Sequence, residues 1–230
     1  MIEISKVIKK FGNRMVLDTI DLNIPENSIY GLLGANGAGK TTLIRSILNL
    51  TQIHSGSIRI GNIEHKNPKS RESISYLPEH FQFYPYYSVM QTVSFLSLQQ
   101  TTQNSKEKIE EVFQLLELEK LKNIKIGLLS KGQLQRVGIA KIMLSNAQVL
   151  ILDEPFSGLD PVGVKNLRTF LVEENKKGRT IFINSHLISQ VEKFITNFAI
   201  LKKGSIVLTG TSKDLTEKQH LEDIVIESLS

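Results

Sequence analysis

The chain has no cysteine among its 230 residues, which excludes a disulfide framework, a cysteine-based metal site and a cysteine nucleophile. Its five histidines are scattered, and no two of them stand at metal-ligand spacing. Apolar runs are far shorter than the ~20 residues that span a bilayer, and the first residues lack the apolar core of a signal peptide. We therefore expect an intracellular, water-soluble protein.

Charge is also low, with a net charge of +5 and 22% charged residues. This excess would suit an anionic ligand or membrane face, although lysines on solvated faces explain it equally well. No concentrated stripe of lysine and arginine indicates a nucleic-acid partner, so we expect none. With 40% apolar residues, the chain can form one large α/β domain or two small ones.

The most informative segment is a glycine-rich loop between an apolar run and a helix-like run. Residues 34–42 read Gly-Ala-Asn-Gly-Ala-Gly-Lys-Thr-Thr and fill the template G-x-x-x-x-G-K-[ST]. Such a loop points backbone N–H groups at phosphates, while Lys40 reaches the β and γ phosphates and Thr41 offers a hydroxyl to Mg²⁺. The alternative is a glycine-rich turn with a solvated lysine. The strand–loop–helix context favours nucleoside triphosphate binding.

The apolar pattern predicts strands that alternate with helices in the second half of the chain. Strands are predicted over residues 2–7, 16–24, 28–33, 57–60, 73–77, 149–152, 180–184 and 198–201. Helical patterns fill residues 88–145, where Asn104 with Glu107 and Ser130 with Gln133 match helix caps, and further helices follow Pro161 and His186. This order predicts an α/β fold with a mostly parallel sheet and a helical excursion.

An acidic pair follows the predicted strand over 149–152. Asp153 stands at the carboxyl end of this strand, where open α/β sheets bind ligands. Asp153 can hold Mg²⁺, and Glu154 can orient or deprotonate an attacking water. A strand that ends in a solvated turn would look alike, but the upstream phosphate loop favours the catalytic interpretation.

Residues 129–133 read Leu-Ser-Lys-Gly-Gln and closely resemble the L-S-G-G-Q signature of ABC ATPases. Other elements of that family occur in the expected order. Residues 157–160 resemble the D-loop, His186 the switch histidine, Phe11 the aromatic that stacks on adenine, and residues 75–79 the Q-loop. The resemblance extends over about residues 2–210 and identifies the chain as a member of the ABC ATPase family.

The resemblance implies a P-loop NTPase fold of the ABC ATPase type, with an N-terminal antiparallel β subdomain and an inserted α-helical subdomain. It implies one domain over residues 1–230, with a RecA-like core at about 1–79 and 146–210. The helical subdomain would cover about 80–145, and a short tail 211–230.

The resemblance also implies the site residues. Catalysis would use Glu154, His186 and Lys40, and Mg²⁺ would be held by Thr41, Glu79 and Asp153. ATP would be bound by Phe11, Val16, Asn36, Gly37, Ala38, Gly39, Lys40, Thr41, Thr42, Glu79, Ser130, Gly132, Gln133 and Asp160. Taken alone, Ser130 and Asp160 are helix caps and His186 a surface residue; for the two caps, both roles can coexist.

ABC ATPases work as head-to-tail pairs, so the resemblance implies a second ABC ATPase subunit, with a homodimer as the default. It also implies an integral membrane permease, and hence a cytoplasmic location on the inner face of the cell membrane. The Tyr-Leu-Pro-Glu of residues 76–79, Lys131 and the Leu-Glu-Asp-Ile of residues 221–224 resemble subunits of ABC-2-type exporters.

Three residues depart from the commonest family pattern. Phe11 replaces a tyrosine but keeps the π face, and Lys131 replaces the first glycine of the signature. Glu79 replaces the Q-loop glutamine; its carboxylate can still ligate Mg²⁺ but adds negative charge near the γ-phosphate. None of these changes predicts an inactive enzyme.

Five aromatic residues lie within residues 81–87, which read Phe-Gln-Phe-Tyr-Pro-Tyr-Tyr. In the family, this region receives a short helix of the permease, and aromatic side chains suit such a socket. Alternatively, they pack in the core of the helical subdomain.

Two other function classes remain open. One is a soluble ABC ATPase that acts on the ribosome or DNA, although such proteins usually carry two cassettes or a long inserted coiled coil. The other is a regulatory subunit without useful turnover, against which Glu154, His186 and Ser130 argue.

Overall fold

The computed structural model describes residues 2–99 and 106–214, in which ten strands form two sheets. The strands are β1 (Ile2–Phe11), β2 (Arg14–Ile24), β3 (Ile29–Leu33), β4 (Ser55–Ile60), β5 (Ile63–Glu64), β6 (Ile74–Leu77), β7 (Val149–Asp153), β8 (Thr180–Ser185), β9 (Asn197–Lys202) and β10 (Ser205–Thr211). The helices are α1 (Lys40–Ile47), α2 (Val89–Leu98), α3 (Lys106–Leu115), α4 (Lys131–Leu144), α5 (Pro161–Lys176) and α6 (Ile188–Val191).

The larger sheet has the strand order β10-β9-β3-β8-β7-β6, and all of its neighbours are parallel except β10 and β9. Because both faces of this sheet are covered, its central strands β3, β7 and β8 are buried at every position. In β7, Val149 and Ile151 face one core while Leu150 and Leu152 face the other. The carboxyl ends of β3, β7 and β8 therefore lie side by side at one edge.

The smaller sheet is antiparallel, with the order β2-β1-β4-β5. Its buried side chains, such as Ile4 and Ile58, pack with Leu43, Ile44 and α1's other apolar residues against one face of the larger sheet. This packing fixes the start of α1 beneath the β1–β2 hairpin.

The helices α2 to α5 cover the opposite face of the larger sheet. Capping boxes start α2 at Ser88 with Gln91 and α4 at Ser130 with Gln133. Asp160 caps α5, whose first residue is Pro161. None of the described helices is long and apolar enough to cross a membrane.

The predicted fold class is confirmed, and each predicted strand is present with ends shifted by up to four residues. The strands β5 and β10 were not predicted. The helix after His186 is a single turn, α6. Asn104 and residues 221–224 lie outside the described residues.

Candidate functional site

The phosphate loop joins the buried strand β3 to α1. Its glycines Gly34, Gly37 and Gly39 have φ angles of 148°, 80° and 111°, which lie in the left-handed region. At Gly39 a β-carbon would stand 2.8 Å from the carbonyl oxygen of Val16, so only glycine fits beneath β2. The loop therefore presents the free N–H groups at the start of α1 to an anion.

Lys40 is 5% exposed, and its ammonium is folded back on the loop. Its Nζ donates to the carbonyl oxygens of Gly34 at 2.6 Å and Ala35 at 3.1 Å. Burial lowers the pKa of Lys40, and the nearby acidic groups oppose that shift. The ammonium thus lies against the loop, largely shielded from solvent. A phosphate bound in the loop would give it an anionic partner.

Asp153 ends β7 and is fully buried next to the start of α1. Its Oδ1 accepts hydrogen bonds from Asn184 Nδ2 and from Thr41 Oγ1, the latter at 3.3 Å. Burial raises the pKa of Asp153, and these two hydrogen bonds oppose the rise.

The other carboxylate oxygen of Asp153, Oδ2, is buried without a hydrogen-bond partner among the described residues. A cation beside it would satisfy this oxygen. No three histidine or acidic side chains within residues 2–99 and 106–214 could hold a metal by themselves. One carboxylate, the hydroxyl of Thr41 and substrate phosphates are the donor set that Mg²⁺ uses in such sites, so the residues fit this ion.

Glu154 has a left-handed backbone with φ of 51°, which is uncommon for a residue with a side chain. Its Oε1 accepts the backbone N–H of His186 at 3.0 Å and lies 2.8 Å from His186 Nδ1. Ser185 Oγ donates to the other oxygen at 3.4 Å. The last residue of β8 and the residue after it thus fix the Glu154 carboxylate, whereas the side chain of His186 is 42% exposed.

A cavity of about 330 Å³, which we call the P-loop cavity, brings many of the predicted residues together. Its lining comprises Val16, Asn36, Gly37, Gly39, Lys40, Thr41, Thr42, Glu79, Glu154, Asn184 and His186. The side chain of Ala38 instead packs in the core, and its carbonyl oxygen accepts the N–H of Gly204 at 2.9 Å. Phe11 lies outside this lining, at the tip of the β1–β2 hairpin, and is 53% exposed.

A second cavity, of about 650 Å³, lies at the start of α4 and is here called the α4 cavity. Ser130, Gly132, Gln133 and Asp160 line it, as do Glu117, Glu119, Lys120, Leu121, Arg136 and Gly158. The two cavities share no lining residue. The structure thus divides the predicted ATP-binding residues between two separate places on one chain.

Tight packing fixes the α4 cavity. At Gly132 a β-carbon would stand 2.5 Å from the carbonyl oxygen of Gly158, so α4 and the loop before α5 touch backbone to backbone. Asp160 accepts the Gly163 N–H at 2.8 Å and Arg136 Nη2 at 2.8 Å. The backbone hydrogen bond and then Arg136 lower the pKa of Asp160.

The aromatic segment 81–87 divides into two groups. Phe81 and Phe83 pack against the core shared with α2 to α5. Tyr84, Tyr86 and Tyr87 are 58%, 69% and 45% exposed, and the ring of Tyr84 contacts those of the other two edge to face. The core-packing alternative therefore applies to the phenylalanines, and the tyrosines form an exposed surface.

Sequence reasoning missed two polar residues in these sites. Asn184 was assigned only to a strand, yet it pairs in register with Asp153 across β7 and β8. Its position two residues before His186, at a strand end, is the signal that could have found it. Arg136 carries no comparable signal, because its partners Glu117 and Asp160 are distant in sequence.

Known proteins resemble this chain in sequence over most of its length. The family described as ABC transporter matches residues 17–157. The ABC transporter ATP-binding protein YhaQ of Bacillus subtilis (strain 168) is 37% identical over 231 residues, which cover 99% of this chain and 77% of YhaQ. The bacitracin transport ATP-binding protein BcrA of Enterococcus faecalis is 33% identical, covering 90% and 68%. The lantibiotic transport ATP-binding protein SrtF of Streptococcus pyogenes is 32% identical, covering 97% and 95%.

Solved structures of ATP-binding cassettes share this fold. The ATP-binding subunit of an ABC transporter superposes with a TM-score of 0.87 at 24% identity, over 99% of both chains, which shows a shared fold. The ATP-binding cassette MJ0796, a dimer in a post-hydrolysis state with ADP and phosphate, superposes with a TM-score of 0.81 at 26% identity, over 92% of this chain and 99% of the cassette. This chain therefore belongs to the ABC transporter family, as an ATP-binding subunit whose ATPase activity is coupled to transport.

Proposed function

We propose that two copies of the chain bind MgATP head to tail and drive export through a separate membrane permease. The separation of the P-loop cavity from the α4 cavity carries this proposal. A nucleotide held by the P-loop of one copy would meet Ser130 and the start of α4 of the other copy. The capping Ser130 aims the positive end of the α4 dipole at that position.

Each group in the P-loop cavity has a role in this proposal. Lys40 exchanges the carbonyl oxygens of Gly34 and Ala35 for the β and γ phosphates. Thr41, Asp153 and Glu79 would hold Mg²⁺, which would supply positive charge to neutralise these phosphates. Glu154 orients a water and takes its proton as the water oxygen bonds to the γ-phosphorus and ADP leaves.

His186 is a positioning residue, because its backbone N–H and Nδ1 fix the Glu154 carboxylate. Its exposed side chain lines the P-loop cavity and can contact the γ-phosphate from the same subunit. Phe11 stacks on adenine at the hairpin tip, outside the cavity that holds the phosphates.

The exposed tyrosines Tyr84, Tyr86 and Tyr87 support a permease socket. Tyrosine is enriched where proteins bind one another, and these rings follow Glu79 of the P-loop cavity within eight residues. The subunit would then sit on the cytoplasmic face of the membrane. The names of BcrA and SrtF support peptide antibiotics as the substrate class.

We further propose that residues 1–230 form one domain, with the helical subdomain at about 80–145 and the RecA-like core on either side of it in sequence. In support, one apolar cluster runs without a break from α2, α3 and α4 into the larger sheet. The proposed tail, 211–230, begins with the last residue of β10, and residues 215–230 lie outside the described part. The alternative of a soluble ATPase that acts on the ribosome or DNA receives no support from the relatives, which are transporter subunits.

An affinity pull-down tests the permease partner. Tagged Glu154→Gln protein would be bound with MgATP to detergent-solubilised membranes of its own cells, and the proteins retained would be identified by mass spectrometry. We expect a polytopic membrane protein in equal ratio, and its loss with Tyr86→Ala/Tyr87→Ala, which changes only exposed side chains. Recovery of ribosomal or DNA-repair proteins without a membrane protein would overturn the proposal.

A further inference from the structure

Lys9 is a buried lysine that lies beside the proposed adenine-stacking residue. It is 7% exposed, although lysine is almost never buried without a partner. Its Nζ donates to the carbonyl oxygen of Gln52 at 2.6 Å and lies over the ring of Phe11, 4.6 Å from the ring centroid. None of the described carboxylates forms an ion pair with it, so the ammonium is held by the Gln52 carbonyl oxygen and the π face of Phe11.

The strand explains why the two side chains meet. Residues 9 and 11 are separated by two positions on β1, so they point to the same face of the hairpin. Lys9 pairs with Leu17 and Lys10 with Met15, which leaves Val16 as an extra residue in β2. Val16 also lines the P-loop cavity, so the hairpin that carries Lys9 and Phe11 contributes to that cavity.

We infer that Lys9 positions the ring of Phe11 for the adenine base, with the ammonium on one face of the ring and the base on the other. The inference rests on the proposed stacking role of Phe11. A phenylalanine has no hydroxyl with which to anchor its ring, and Phe11 is 53% exposed, so packing holds it only in part. The ammonium covers one face at 4.6 Å and leaves the other available.

Lys9 could also serve only to anchor Gln52, which lies in the segment between α1 and β4. The two roles differ in what they do to ligands that have phosphates but no base. Loss of the anchor would disturb α1 and weaken every phosphate ligand, whereas loss of the ring contact would weaken only ligands that carry adenine.

Isothermal titration of the full chain with Mg²⁺ and either ATP or inorganic tripolyphosphate separates these roles. For Lys9→Gln we expect ATP to bind about three- to fivefold more weakly, as a cation–π contact of this kind implies, with tripolyphosphate binding unchanged. Lys9→Arg keeps a cation over the ring and should retain ATP affinity. The exposed neighbour Lys10 provides the control, and Lys10→Gln should change the affinity for neither ligand.

A double-mutant cycle links the effect to the ring. In a Phe11→Ala background, Lys9→Gln should have no further effect on ATP binding. If Lys9→Gln lost equal affinity for ATP and for tripolyphosphate, or lost affinity for neither, the inference would be overturned. If Phe11→Ala itself leaves ATP affinity intact, the proposed stacking role fails instead, so the two failures are distinguishable.

A second measurement leaves Lys9 unchanged and covers the case in which Lys9→Gln does not fold. In proton–carbon NMR spectra, the ε-methylene of Lys9 should carry a ring-current shift that Phe11→Leu removes. ATP should change that signal and tripolyphosphate should not. A Lys9 signal that responds equally to both ligands, or to neither, would contradict the inference.

Discussion

His186 Nδ1 lies 2.8 Å from Oε1 of Glu154, and the backbone N–H of His186 donates to the same oxygen at 3.0 Å. These two contacts fix the carboxylate of the proposed base. The side chain of His186 is 42% exposed and lines the P-loop cavity. A γ-phosphate that displaced this side chain would therefore also shift the Glu154 carboxylate. In the proposed mechanism, this contact would link phosphate binding at His186 to the position of the proposed base.

The first prediction concerns Glu154→Gln. The amide keeps an oxygen for the His186 N–H but cannot take a proton from water, so we expect ATP affinity to stay within about twofold while turnover falls by about 10²-fold or more. Steady-state phosphate release and equilibrium nucleotide binding measure the two quantities. Wild-type turnover by this variant would remove Glu154 from its proposed role.

The second prediction concerns Asp153→Asn. Burial raises the pKa of Asp153 in the folded state, so the unfolded chain loses this proton first as pH rises. The carboxylate therefore lowers the free energy of unfolding as pH rises from the unfolded pKa of about 4 through the raised folded value. We expect Asp153→Asn to be more stable than wild type at pH 7 by about 1–2 kcal/mol, and equally stable below pH 4.

Urea unfolding at pH 4 and pH 7 measures this difference, with the exposed Asp18→Asn as the matched control. Adding Mg²⁺ with ATP should raise the free energy of unfolding of the wild type. In Asp153→Asn, the part of this increase that depends on Mg²⁺ should be absent. Equal stability of the two proteins at pH 7 would show that the unpartnered Oδ2 carries no cost.

The third prediction concerns Arg136, which joins α4 to two other elements. Its guanidinium contacts the carbonyl oxygen of Leu116 at 3.1 Å, the Glu117 carboxylate and Asp160 Oδ2 at 2.8 Å, and its side chain is 15% exposed. Arg136→Met keeps the apolar stem but leaves these acceptors without the charge. We expect the free energy of unfolding to fall by about 1 kcal/mol, mainly through the part-buried hydrogen bond to Leu116, and ATP turnover to fall with it.

Thermal and urea unfolding check this stability change, and Lys165→Met on the exposed face of α5 serves as its control. If turnover fell at unchanged stability, Arg136 would act on the geometry of the α4 cavity alone. An unchanged value of both quantities would exclude a structural role for the Arg136 network.

The parts of the site that neighbouring residues encode could be predicted from sequence. The phosphate loop needs its glycines and Lys40 within a few residues, and the capping box of Ser130 with Gln133 spans three. Asn184 and Arg136 could not be predicted in the same way. Asn184 reaches Asp153 only through the register of β7 and β8, and Arg136 meets Asp160 only after α4 and α5 pack.

In the fold too, features encoded by neighbouring residues could be predicted, and features that depend on distant residues could not. The strands β3, β7 and β8 are buried at every position, and each contains an apolar stretch from which it could be predicted. The strand β5 has two exposed residues, and β10 lies at a sheet edge without a regular alternation of burial. Pairing with β4 and β9 forms these two strands, and sequence patterns carry little record of such pairing.

Light scattering on Glu154→Gln, with and without MgATP, tests most directly whether the two cavities complete each other. We expect one chain's mass without nucleotide and twice that mass with MgATP, because the variant holds ATP between the P-loop cavity of one copy and the α4 cavity of the other. Adding Ser130→Glu, which places a carboxylate against the γ-phosphate, should return the mass to that of one chain. A single-chain mass with ATP bound, or a dimer that Ser130→Glu leaves intact, would contradict the account.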